Sequence, residues 1–218
     1  MGSAYYVSLG TAEGEITEKK SRFIATVREV HSEEEANNFI NELRKKYWDA
    51  RHNCYAYVIG RNNEIARFSD DKEPQGTAGR PILDVLTGRN VRNTCIVVTR
   101  YFGGILLGTG GLVRAYSSAA SAGMDNADIC EVYPGSVMDI SCDYSLVTKM
   151  QRFIADRSLP LIDTVYAENV LFKVAVRDEE IDAVTAAVTE LSNGSSVPVK
   201  AGEMVFAVRD GKAKEYEF

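Results

Sequence analysis

Hydrophobic and polar positions along the chain follow two periods. Over residues 22–30, Phe23, Ala25 and Val27 alternate with Arg22, Thr26 and Arg28, the two-residue period of a half-buried strand. Ser32 and Glu35 then make a capping-box pair, and Ala36, Phe39, Ile40, Leu43 and Tyr47 recur at helical spacing, which predicts a helix over about 33–48. Two further strands are expected at 54–59 and 64–68, divided by a turn at 60–63, and the three strands are expected to pair in one antiparallel sheet. Residues 69–79 are rich in turn formers, and 78–86 reads as a short helix ended by Gly88. The unbroken run Cys95, Ile96, Val97, Val98 suits a strand at 94–101 covered on both faces. A helix is then expected to run to about residue 126, with Leu112, Ala115, Ala119 and Ala122 as a narrow stripe small enough to approach a sheet closely.

Beyond residues 129–134 the order becomes strand, helix, strand, strand, helix, strand, at 137–142, 145–157, 161–167, 170–176, 179–191 and 197–208. The second of these helices has Asp178 as its expected N-cap, an inner face of Ile181, Val184, Val188 and Leu191, and Asn193-Gly194 as its stop. That succession is the split βαβ, or ferredoxin-like, order. The reading is a two-domain α+β protein, with domains at 1–130 and 131–218.

Composition narrows the class. Hydrophobic residues are 45% and charged residues 26%, the usage of an ordinary globular chain rather than a disordered or fibrous one. No apolar run approaches the roughly 20 residues of a membrane helix, and the first ten residues lack the basic and apolar regions of a secretory leader, so a cytoplasmic protein with no membrane partner is expected. Cys54, Cys95, Cys130 and Cys142 contain no Cys-x-x-Cys pair, and a packing role is expected for them.

The net charge of −6 is unevenly placed: residues 1–128 hold 16 basic and 16 acidic side chains, while residues 129–218 hold 9 and 15. Within residues 80–114, Arg80, Arg89, Arg92, Arg100 and Arg114 face a single acid, Asp84. Such a stretch would attract a phosphate-bearing partner.

Three polar segments could carry chemistry. One is 49–54, with His52 and Cys54; a second is 69–79, with Asp70, Asp71, Glu73 and Thr77; the third runs from Arg100, Tyr101 and Phe102 through Gly103, Gly104, Gly108, Gly110 and Gly111 to Arg114 and Tyr116. Five glycines between a strand and a helix expose backbone N–H groups where the helix dipole favours an anion. Their spacing matches neither Gly-x-Gly-x-x-Gly nor the P-loop, and positive φ or close packing explains such glycines equally well. His52 and Cys54, two apart on one strand, point to the same face; a structural role is expected, since a nucleophile and base also need an orienting group and an oxyanion site. The acids of 69–79 read as turn residues, with magnesium ligation as the rival.

Together these segments resemble the IMPACT family, and the two-domain layout its bacterial YigZ-like branch. The resemblance rests on Lys20-Ser21-Arg22-Phe23-Ile24-Ala25, residues 52–57, Asp70-Asp71 with Gly76-Thr77-Ala78-Gly79-Arg80-Pro81-Ile82-Leu83, and above all residues 100–116. One departure stands out: the family pattern is Asp-Asp-Gly-Glu-Pro, and this chain has Lys72 at the glycine position, so a loop bent differently or carrying an added charge is expected. The resemblance implies a first domain similar to the second domain of a small-subunit ribosomal protein and a second similar to a ferredoxin-like domain of an elongation factor. It points to translation, with RNA or a ribosome-associated surface as partner, possibly a regulatory protein, no cofactor and no catalytic residue. On this reading the five arginines contact phosphates while Tyr101 and Phe102 stack on bases. Two rivals remain: an enzyme on a phosphorylated small molecule, because Gly110-Gly111 ahead of Ser117-Ser118 resembles the loop of the GHMP kinases, and a protein-interaction regulator using the same surface.

Overall fold

The computed structural model describes residues 5–209 and 212–216, so the first four residues of the N-terminal stretch lie outside the described residues. The chain forms two compact units that divide at Cys130/Glu131.

The first unit is a five-stranded antiparallel sheet with helices on both faces. Its elements are β1 (Tyr5–Leu9), β2 (Thr11–Glu18), β3 (Ser21–Glu29), α1 (Glu33–Lys46), β4 (His52–Ile59), β5 (Ile65–Ser69), α2 (Gly79–Gly88), β6 (Val91–Arg92), β7 (Thr94–Tyr101) and α3 (Gly108–Asp125). The sheet order is β2-β3-β7-β4-β5. The three strands read first from the sequence do share this sheet, but β7 lies between β3 and β4. β1 pairs in parallel with β6, Tyr6 opposite Val91.

Alternation along β7 and β4 supplies two cores. Ile96 and Val98, with Cys54, Ala56 and Val58, face α2 and α3; Cys95 and Val97, with Tyr57 and Ile59, face the Ala36, Phe39, Ile40 and Leu43 side of α1. The Ser32 hydroxyl accepts the Glu35 N–H and the Glu35 carboxylate accepts the His31 N–H at the start of α1. On α3 the buried face is broader than the expected stripe, adding Tyr116, Ala120, Gly123 and Met124. Gly14 of β2 is what lets α3 come close, since a Cβ there would stand 2.4 Å from backbone atoms of Ala122 and Gly123.

The second unit follows the β-α-β-β-α-β succession, with an extra strand. Its elements are β8 (Asp128–Cys142), α4 (Val147–Asp156), β9 (Leu161–Tyr166), β10 (Val170–Arg177), α5 (Ile181–Leu191), β11 (Val199–Arg209) and β12 (Lys212–Glu215). Antiparallel pairing gives the order β12-β11-β8-β10-β9. Met138, Ile140 and Phe172 pack with Met150, Ile154, Val184 and Val188 of the two helices. Two sequence readings need correcting. The change of unit falls inside continuous strand β8 rather than in a linker, and Asp178 opens a 3₁₀ turn, so that α5 starts at Ile181.

Candidate functional site

The three polar segments meet at one end of the first unit's sheet. β4 brings His52, Asn53 and Cys54, β7 brings Thr99 and Arg100, β3 brings Ser21, α3 brings Tyr116, and the loop between β5 and α2 lies over them.

Two carboxylates pin that loop. Asp70 accepts the N–H groups of Gly76 (2.8 Å), Ala78 (3.0 Å) and Gly79 (2.8 Å), so it serves as the missing cap of α2, whose own N-cap position is Ala78. Asp71 accepts the Asn53 N–H at 2.6 Å, and its carbonyl lies 2.8 Å from His52 Nδ1. A carbonyl only accepts, so Nδ1 carries the hydrogen and Nε2 faces inward. Thr77 is buried and donates to the Pro74 carbonyl at 2.7 Å. Lys72 corrects an expectation about the loop: with φ +70 it adopts the left-handed conformation itself, so the bend natural to glycine is kept with a lysine in it.

Between the pinned ends the loop inserts Glu73. Its Oε1 lies 2.6 Å from Arg100 Nη1, accepts the Tyr116 hydroxyl at 2.8 Å, and stands 3.7 Å from His52 Nε2. Both partners of the ion pair are nearly closed to solvent, with side-chain exposures of 6% for Arg100 and 4% for Glu73. Arg100 Nη2 reaches Ser21 Oγ at 3.4 Å, while Nε is buried with no hydrogen-bond partner, its guanidinium lying 5.3 Å from the Phe23 ring centre and 5.6 Å from that of Phe102. The Cys54 thiol donates to the Asp70 carbonyl at 3.0 Å and lies 3.4 Å from the Tyr116 oxygen. Burial drives the Cys54 thiol and the Tyr116 phenol far up from their ordinary values, so both stay protonated. A thiol so held is no nucleophile.

The arginines of residues 80–114 do not form one free cationic surface. Arg100 is turned into the unit; Arg80 pairs with Asp84 at 2.8 Å and Arg89 with Asp125 at 2.7 Å; Arg92 lies 4.4 Å from the Tyr5 ring centre. Arg114 is exposed on the first turns of α3. Tyr101, half-buried, donates to Asp49 at 2.8 Å, and burial together with that carboxylate raises its pKa. The linear surplus of charge is thus largely met by acids that the fold brings in from elsewhere.

An open rim remains above the buried cluster. Phe102, exposed, carries the Arg51 guanidinium 5.5 Å from its ring centre, and Ile105 and Leu106 are exposed beside it. Arg51 was visible in the sequence but unremarkable, because only the fold puts it over Phe102. Gly103 is required by close approach, since a Cβ would stand 2.0 Å from the Lys20 carbonyl carbon, and its N–H donates to Ser21 Oγ at 3.2 Å. Gly104 and Gly108 are required by positive φ, +84 and +71. Gly110 and Gly111 open α3, with no side chain capping it.

Comparison with known proteins matches the same segments. The Impact N-terminal domain family covers residues 19–124, and the domain of unknown function DUF1949 covers 140–195. The chain is similar to the IMPACT family member YvyE of Bacillus subtilis, 42% identical over 93% of this chain and 93% of that protein. It is also similar to the IMPACT family member YigZ of Escherichia coli, 36% identical over 81% of this chain and 88% of that one. A crystal structure titled as a hypothetical protein superposes with a TM-score of 0.58 at 32% identity, covering 92% of this chain and 98% of that chain. With both halves matched in order and full-length bacterial relatives aligned end to end, the chain belongs to the IMPACT family, alongside its members YvyE and YigZ.

Proposed function

We propose that this chain is a translation-linked, cytoplasmic docking protein that engages RNA or a ribonucleoprotein surface through the open rim of its first unit. The observation that carries the reading is Phe102, an exposed ring on a glycine-bared loop with the Arg51 guanidinium 5.5 Å from its centre. An exposed ring beside a guanidinium offers a stacking face and a phosphate contact together. Arg114, exposed at the adjoining start of α3, adds a second phosphate contact near the bare N–H groups of Gly108 and Gly110. Arg100 braces the rim from below. The likeness of the two units to a ribosomal-protein domain and to a ferredoxin-like elongation-factor domain belongs to this reading and directs it to translation. A binding role also agrees with the buried cluster, whose thiol and phenol are held protonated.

The test is fluorescence-anisotropy titration of single-stranded RNA against the full chain and its Arg51→Ala, Phe102→Ala and Arg114→Ala variants at several salt concentrations. Weakened binding in all three supports the reading, and unchanged affinity removes RNA from this surface. A protein partner on the same rim is the second reading, favoured by Leu106, which is 84% exposed and offers an apolar anchor.

A further inference from the structure

Glu73 is a loop residue, whereas the groups around its carboxylate belong to regular elements: Arg100 to β7, His52 and Cys54 to β4, Tyr116 to α3. The receptor is built by the sheet and helix, and only its occupant comes from a loop. That occupant fits incompletely. Arg100, Tyr116 and His52 all converge on one oxygen, Oε1, while the buried Nε–H of Arg100 has no partner and its Nη2 makes only the 3.4 Å contact with Ser21. A guanidinium satisfied by a carboxylate takes both oxygens in parallel, Nε and an Nη each donating. Here one arm of the fork is left buried and empty, a costly state for a charged donor.

We infer that the space around Arg100, Tyr116 and His52 is a binding seat for a small carboxylate ligand, which Glu73 occupies as an internal, displaceable substitute. The loop is fitted for exchange. Asp71 and Lys72, next to Glu73, are non-glycine residues at φ +41 and +70, conformations that cost energy and are relieved when the segment moves. The other acids at the seat do not compete for Arg100, because Asp70 is bound to three backbone N–H groups and Asp71 to the Asn53 N–H. A free carboxylate binding bidentately uses the Nε–H that Glu73 leaves idle. Its apparent affinity in the native chain is lowered by the fraction of time that Glu73 fills the seat.

The experiment uses the full chain and sodium acetate as the probe, with inorganic phosphate and sodium chloride at matched ionic strength, and follows the Arg100 Nε–H and the Gly76, Ala78 and Gly79 amides by NMR. In Glu73→Gln acetate shifts the Arg100 Nε–H saturably and binds at least about tenfold more tightly than in the native chain, where it also shifts the loop amides, as expected when an internal competitor is weakened. Chloride shifts none of these signals. Glu73→Asp, whose carboxylate is one methylene shorter, gives the same order of affinities where Glu73→Gln fails to fold. A Glu73→Met/Arg100→Met protein, with the pair replaced by apolar side chains, shows no acetate response. Absence of a saturable Arg100 Nε–H shift in a folded Glu73 variant overturns the proposal, as does phosphate binding as tightly as acetate. The rim residues Arg51, Phe102 and Arg114 are untouched in these variants, so RNA binding and seat binding succeed or fail separately.

Discussion

Glu73 and Arg100, 27 residues apart, meet at 2.6 Å in a place where neither side chain reaches solvent appreciably. Removing one member strands the other charge, so Arg100→Ala is expected to cost about 3–5 kcal/mol. In the exposed position Arg114→Ala stays within about 0.5 kcal/mol. Adding Glu73→Ala to Arg100→Ala costs far less than it does alone, because the two share one interaction. Urea denaturation of the single and double variants measures all three values.

On RNA the same arginines separate differently. Arg114→Ala lowers the slope of log affinity against log salt by about 0.7, the loss of one single-strand phosphate contact. Phe102→Ala costs about 1–3 kcal/mol with little salt dependence, as expected for a lost stacking face. Arg100→Ala, assayed where it is folded, leaves the slope unchanged, since its guanidinium faces Glu73.

Lys72 holds φ +70, a conformation that a side chain disfavours by roughly 1–2 kcal/mol and that glycine accepts. Part of that gain is offset by glycine's greater freedom in the unfolded chain. Lys72→Gly is therefore expected to raise stability by up to about 1 kcal/mol without moving the Asp70 contacts, readable as a higher midpoint in thermal unfolding.

The glycines of residues 103–111 differ in what they tolerate. Gly103→Ala drives a Cβ into the Lys20 backbone and is expected to cost about 1–3 kcal/mol or more. Gly110→Ala meets nothing nearer than 3.8 Å and gains helix propensity of about 0.8–1 kcal/mol. Denaturation midpoints moving in opposite directions confirm the difference.

Cys54 and Cys95 are buried thiols whose pKa values burial pushes far up. In the unfolded chain they ionise near about 8.5, so folding favours the protonated form; the stability they contribute is whole below that pH and declines as pH rises beyond it. At pH 9.5 the native protein should have lost about 1 kcal/mol per thiol relative to pH 7, a loss that Cys54→Ala/Cys95→Ala does not share. Iodoacetamide should leave both thiols unmodified in the folded protein.

Local pattern made much of the architecture legible. Ser32 and Glu35 mark the start of α1, the run Cys95 to Val98 marks a doubly covered strand, and the strand-helix order after β8 emerges from periodicity. β2 was hidden for a physical reason. Its residues Thr11-Ala12-Glu13-Gly14-Glu15 look like a polar turn, and its buried position is a glycine whose missing side chain admits α3. β8 was foreshortened because Pro134 and Gly135, ordinarily strand breakers, sit inside a paired strand.

The segments that matter were equally visible: residues 52–57, 70–83 and 100–116 carry both the family resemblance and the site. What each side chain does there was decided by the fold. Arginine density between residues 80 and 114 suggested a basic surface because sequence adds charges along the chain, whereas stability depends on charges across space. Glu73, Asp84 and Asp125 neutralise three of those arginines, two of the acids arriving from outside the stretch. The amino-acid pattern by itself determined which residues are half-buried, which turn and which family they spell; only tertiary structure decided that Arg100 points inward and Arg51 outward, because pairing a charge under a loop requires the long-range contacts that bury it.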